Sequence, residues 1–154
     1  MRKLVIALAL AITAGGCTRA PEPPPFKAVV ETRDLMEDLM ERQADIVWGA
    51  TGFIVTAEGV EERRPKSDED WLAVKAAAVN LTEAGNLLLF APRAQDGGQW
   101  VKNVQAMMGQ GQRMIDAIDR RDTKAMFDVG SDLYDTCTNC HMHYMPAIKD
   151  LYRP

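Results

Sequence analysis

Apolar residues recur at helical spacing along four stretches of the chain, and each stretch predicts an amphipathic helix. The first runs from Val29 to Ile54, where Met36, Met40, Gln43, Val47 and Ile54 fall near one stripe, flanked by Leu35, Leu39 and Ile46. The second carries Trp71, Leu72, Val74, Ala78, Val79 and Leu81 inward and reaches about Phe90, because Pro92 prevents continuation. In the third, Trp100, Val104, Met107, Met108, Ile115 and Ile118 share a face. The fourth presents Met126, Val129, Leu133, Cys137, Cys140 and Tyr144 on its inner side, and Pro146 stops it.

The ends of these stretches carry helix signals. Ser67 is a good N-cap with Asp70 three residues on, a variant of the capping box. Asp96 with Gln99 opens the third helix and Asp122 caps the fourth, while Arg120 and Arg121 complement the negative end of the third. GATG at 49–52 loosens the end of the first helix, and Gly85-Asn86 is a candidate bend in the second. Residues 57–66 read as a polar connection, and β-type alternation is not expected anywhere. Four amphipathic helices joined by short loops predict an all-α antiparallel four-helix bundle, whose facing helices can hold a cofactor in the core.

The N-terminal residues belong to a different category. In residues 1–16, Arg2 and Lys3 precede the apolar run Leu4 to Ile12, which is too short to span a bilayer, and small residues lead into Cys17. This predicts a signal peptide. AGGC resembles the bacterial lipoprotein cleavage box, with Ala14 where Leu is usual, and so predicts a lipidated Cys17 as the mature N-terminus. Ordinary cleavage nearby, leaving a soluble periplasmic protein, is the alternative. Residues 17–27 hold four prolines between Pro21 and Pro25 and read as a semi-rigid tether or a plain tail. The folded domain is assigned to 28–154. Removing residues 1–16 from 154 leaves 138, enough for one core. Without Arg2 and Lys3, 16 basic side chains face 22 acidic ones, which makes nucleic acid an unsuitable partner.

The chemistry concentrates in CTNCH at 137–141, the attachment signature of c-type haem. On a helix, Cys140 lies roughly 60° to one side of Cys137 and His141 roughly 40° to the other, so all three project from one face. Cys137 and Cys140 are then thioether anchors for one covalent haem c, and His141 is the proximal iron ligand. His143 points away. A zinc site and a dithiol redox pair are the competing readings, but zinc wants four convergent ligands and a thioredoxin-like pair wants a βαβ setting. With Cys17 for lipid, no cysteine remains for a disulfide. Both signals place the domain outside a bacterial cytoplasmic membrane, where the cytochrome c maturation machinery attaches haem.

CTNCH near the end, Tyr144 three residues past His141 and the four-segment layout together resemble the class II cytochromes c, the cytochrome c′ superfamily, over about 28–150. The resemblance implies a four-helix bundle with haem on the last helix. TRDLM at 32–36 looks like the first-helix pattern of the low-spin branch, which implies Met36 as distal iron ligand, with Met40 as runner-up. That branch transfers electrons, so the expected role is a periplasm-facing, lipid-anchored electron carrier that docks with redox partner proteins and is not an enzyme. The other branch binds nitric oxide or carbon monoxide at five-coordinate iron and is the alternative. Members often carry Arg after the Tyr; Met145 and Pro146 follow Tyr144 here, a departure that argues against gas binding. The resemblance also implies pairing of two copies through the first two helices. Arg33, Lys75, Arg93 and Arg113 are candidate partners of the haem propionates, with none favoured. Trp48, Trp71 and Trp100 are candidates to touch the porphyrin edge, and Gly130, two turns before Cys137, is a candidate to make room for the ring.

Overall fold

A computed structural model describes residues 26–145. The expectations attached to the signal stretch, Cys17, the prolines at 21–25 and Pro146 lie outside these residues. Within them the protein is mostly helical, with four helices and a small two-stranded hairpin.

Helix α1 is continuous over 32–49, but its winding changes along the way. It is α-helical over Thr32–Asp34, π-helical over Leu35–Met40 and α-helical again over Glu41–Gly49. In the wide turn the Glu41 N–H reaches the Met36 carbonyl five residues back. Such turns are rare and are found frequently at functional sites.

The expected extension of α1 to Ile54 is wrong. The chain leaves the helix at Gly49, and Gly52–Thr56 forms strand β1, paired antiparallel with β2 at Gly59–Arg63. Gly52 sits at φ +148°, a conformation that favours glycine, and the β-branched and aromatic run that follows suits an extended chain. Residues 57–66 therefore contain a strand as well as connection. The pairing escaped a periodicity reading because the hairpin buries neither face. Phe53, Val55 and Val60 are all more than 60% exposed, and Ile54 is half-exposed in β1.

Helix α2, Asp68–Leu88, starts at the expected box. The Ser67 hydroxyl accepts the Asp70 N–H at 3.1 Å, and the Asp70 carboxylate accepts the Ser67 N–H at 2.9 Å. Val74, Ala78 and Leu81 are buried as expected, together with Ala77, Ala84 and Leu88. Leu72 and Val79 are exposed instead, because they fall off the stripe that this i, i+3, i+4 series defines.

Helix α3 spans Gln99–Asp119 and α4 spans Thr123–Tyr144. The N-cap of α3 is Gly98 and not Asp96, which lies two residues further out and accepts the Gly98 and Trp100 N–H groups at 2.8 and 3.0 Å. Gln99 does not return the contact; its amide bonds Asn103. Asp122 accepts the Ala125 N–H at 2.9 Å, capping α4 as expected. Arg121, expected only to face the α3 terminus, adopts φ +53° in the tight link and pairs with Asp68 at 2.5 Å.

Neighbouring helices run antiparallel. Arg121 after α3 meets Asp68 at the start of α2, while Trp100 at the start of α3 donates to the Leu88 carbonyl at the end of α2, at 2.8 Å. Tyr144, ending α4, bonds Asp96 before α3. Trp48, near the end of α1, donates to the Gly130 carbonyl in the first half of α4, at 3.0 Å. The core between them includes Val47, Met114, Met126 and Leu133, all at most 2% exposed.

Candidate functional site

The four helices leave a cavity of about 320 Å³ between them, a size within the range of small-molecule and cofactor sites. Its wall is mostly apolar. Helix α1 contributes Met36, Met40, Ala44 and Trp48, with Glu41 as the one carboxylate of the wall; α2 contributes Leu81 and Leu88; α3 contributes Asn103, Val104 and Met107. From α4 come Tyr134, Cys137, Cys140 and His141, with Thr136 and Thr138 between them. The two thiols and the imidazole share the cavity because a helix turn separates them by three and four residues. Met36 and Met40 share it because they too are one turn apart, on the widened segment of α1.

Cys137 and Cys140 are free thiols. Burial pushes both above the ordinary thiol range; the Thr136 hydroxyl beside Cys137 and the Asn103 amide beside Cys140 pull the other way. Burial also holds the His141 imidazole below its usual value. At neutral pH it is therefore uncharged, with a nitrogen lone pair free to bind a metal.

His143 is exposed and does not line the cavity; its ring lies 4.6 Å from that of Tyr144. Tyr144 stays outside the lining, edge-on to Trp100 at 4.9 Å. Of the three tryptophans, only Trp48 lines the cavity. Trp100 is buried against α2, and Trp71 lies under the Arg121 guanidinium at 5.6 Å. Gly130 is not part of the wall. A Cβ there would make ordinary contact with the Trp48 ring at 3.6 Å, and the Gly130 carbonyl accepts the Trp48 indole N–H.

None of the four candidate basic residues lines the cavity. Arg33 pairs with Glu37 at 2.7 Å, Lys75 with Asp119 at 2.5 Å and Arg113 with Asp132 at 2.9 Å. Arg93 is buried and bonds two carbonyls. The sequence reading missed Asn103 and Tyr134, which no motif marks. Asn103 lies one residue before Val104 and three after Trp100, so the apolar stripe of α3 already framed it.

No protein-family model, no curated protein and no solved structure matches the chain. Among the described residues, no group of three or more His, Cys, Asp or Glu converges to hold a bare metal ion, and no helix is long and apolar enough to cross a membrane. The two thiols and the imidazole of α4 line the same largely apolar cavity as the Met36 and Met40 thioethers, a donor set whose chemistry is compatible with a covalently attached haem.

Proposed function

We propose that the protein is a c-type cytochrome that transfers electrons through one covalently held haem c, ligated by His141 and Met36. The observation that carries this reading is the shared cavity: Cys137, Cys140 and His141 of α4 and Met36 and Met40 of α1 line the same apolar space. In the same reading the four helices form an antiparallel four-helix bundle of the class II type, with the resemblance resting on CTNCH, Tyr144 and TRDLM.

Haem c, when bound, supplies one-electron chemistry between ferrous and ferric iron. The chain's contribution is to hold and shield it. Cys137 and Cys140 fix the ring to α4, and neutral His141 supplies a nitrogen ligand without first losing a proton. A Met36 thioether is a soft ligand that favours the reduced state. Leu81, Leu88, Val104 and Met107 exclude water, which acts in the same direction by disfavouring the extra positive charge. Helices packed on both sides keep the ligands in place in either redox state, which limits rearrangement during transfer. A lipid on Cys17 would keep the domain close to membrane-bound donors and acceptors.

The test is direct. Protein exported with the haem-attachment machinery should give a pyridine haemochrome, and mass spectrometry should find the tetrapyrrole on the peptide containing 137–141. A low-spin ferric spectrum with a methionine–iron charge-transfer band supports the electron carrier. A high-spin spectrum supports a five-coordinate nitric oxide or carbon monoxide binder. Absence of the adduct sinks both.

A further inference from the structure

Arg93 is 4% exposed, yet no carboxylate pairs with it among the described residues. Its guanidinium instead donates through Nη2 to the Val30 carbonyl at 2.8 Å and through Nη1 to the Leu87 carbonyl at 3.2 Å, and its Nε has no partner. A buried cation compensated only by neutral carbonyls is costly, and an apolar side chain of similar volume commonly serves stability as well or better. Stability alone therefore does not account for an arginine here.

What the two bonds join is informative. Val30 lies two residues before α1 begins, and Leu87 precedes Leu88, which lines the cavity. Arg93 thus ties the entry to α1 onto the end of α2 beside the site. The far end of α1 is held separately, by the bond from the Trp48 indole to the Gly130 carbonyl on α4. Between these two fixed points lies the π-helical segment Leu35–Met40, which carries both cavity-lining methionines. A wide turn is poorly favoured on its own. One way to maintain it is to hold the ends of the helix in a register that a regular α-helix cannot meet. If the entry is released, the segment can relax to α winding, and a shift of one residue turns Met36 by about 100° around the helix axis.

We propose that Arg93 is a positioning residue for the methionine ligand: its grip on Val30 holds the wide turn of α1, and with it the Met36 sulfur, toward the cavity. The inference rests on the haem reading above. Arg93 does not line the cavity itself, so any effect on ligation passes through what it holds: α1 through Val30, and the Leu87–Leu88 end of α2. Exchange at 32–40 separates the two routes.

The experiment compares haem-loaded wild type with Arg93→Met, which removes the donors while keeping length, and Arg93→Lys, which keeps one. Imidazole is titrated against the ferric proteins, because it competes with the methionine sulfur for iron. Arg93→Met is expected to bind imidazole about tenfold more tightly, the weight of a charge-assisted hydrogen bond, with a weaker charge-transfer band and unchanged helical circular dichroism. Amides of 32–40 should exchange faster, and Arg93→Lys should recover part of the difference. Unchanged imidazole affinity and band in Arg93→Met, beside a wild type that shows the band, overturns the role of Arg93 alone. If Arg93→Met does not fold, an Arg93→Lys protein with wild-type affinity and exchange overturns it equally. A wild type without the band overturns the underlying reading, and does so before any variant is made.

Discussion

The hydroxyl of Tyr144, the last residue of α4, donates to the carboxylate of Asp96, which accepts the Gly98 and Trp100 N–H groups where α3 begins. One short contact therefore closes the end of the helix bearing Cys137, Cys140 and His141 onto the start of its neighbour. Partial burial and the Asp96 bond push the Tyr144 phenol up to about 12. The bonds from Tyr144 and from the Trp100 and Gly98 N–H groups hold the Asp96 carboxyl below its usual range. For the phenol, stability is fully present below the unfolded value near 10 and is lost as pH rises through about 12. For the carboxylate, stability is present above its ordinary value and is lost as pH falls through the lower folded one.

A phenolate absorbance titration should accordingly show one of the three tyrosines ionising at about 12, and Tyr144→Phe should remove that late step. Asp96→Asn should flatten the acid limb of a stability–pH curve, and Tyr144→Phe should flatten it in part. If Tyr144→Phe removes an ionisation near 10 instead of one near 12, the contact is absent in solution.

Met36 and Met40 make a sharper pair of predictions, because both line the cavity from the same wide turn. In the haem-loaded protein, Met36→Leu should replace the low-spin ferric spectrum with a high-spin one while keeping the apolar lining. Met40→Leu should keep the methionine–iron band. The reverse outcome would assign the sulfur to Met40. In both variants the covalent adduct on Cys137 and Cys140 should persist, since neither residue takes part in attachment.

The helical layout was legible in the sequence because its signals are local. Ser67 with Asp70 and Asp122 before Ala125 mark starts that depend on one side chain and one N–H, and the structure places both caps where the residues indicated. The site was legible in the same way: CTNCH needs only a helix turn to bring its three groups onto one face. Other features depend on what the chain meets elsewhere. Phe53, Ile54 and Val55 are consecutive and all exposed, and Val55 pairs with Val60 across the hairpin, so no period along the chain could show the pairing. The π turn leaves no mark in LMEDLM, whose residue types suit ordinary α winding equally well. Gly130 was a candidate to make room for a ring, yet it does not line the cavity, and its carbonyl is bonded by an indole 82 residues away.

The hairpin carries its own prediction. Its apolar residues are exposed and its two strands pair only with each other, and an isolated pair of strands is marginally stable. Amides of 52–63 should exchange earliest among the described elements, well before those of α2 and α3. Replacing Phe53 and Val55 together by Thr should change global stability by no more than about 0.5 kcal/mol. A larger loss in chemical denaturation would show that the hairpin packs on the helices.

Helices α2 and α3 meet closely at Gly111, where an added Cβ would lie 2.1 Å from the Thr82 Oγ1 and 3.0 Å from its Cβ. Thr82 is not free to swing aside without cost, because its hydroxyl donates to the Ala78 carbonyl at 2.7 Å within α2. Gly111→Ala should therefore force the helices apart or break that bond, at a cost of about 1–3 kcal/mol, the range for overpacked cores. The helix propensity of alanine offsets less than about 1 kcal/mol of this. Thr82→Ala removes the nearest atom and one methyl, so the double variant should recover most of the loss, leaving a coupling of about 1 kcal/mol or more in the cycle. Gly85 makes a useful comparison. A Cβ there would meet the Met108 Cγ at 2.5 Å, the Met107 Cε at 2.8 Å and the Met108 Sδ at 2.9 Å, and unbranched thioether side chains rearrange more readily than a hydrogen-bonded threonine. Gly85→Ala should consequently cost less than Gly111→Ala in denaturant unfolding. But Met107 also lines the cavity, so this milder variant should be the one that shifts the haem spectrum.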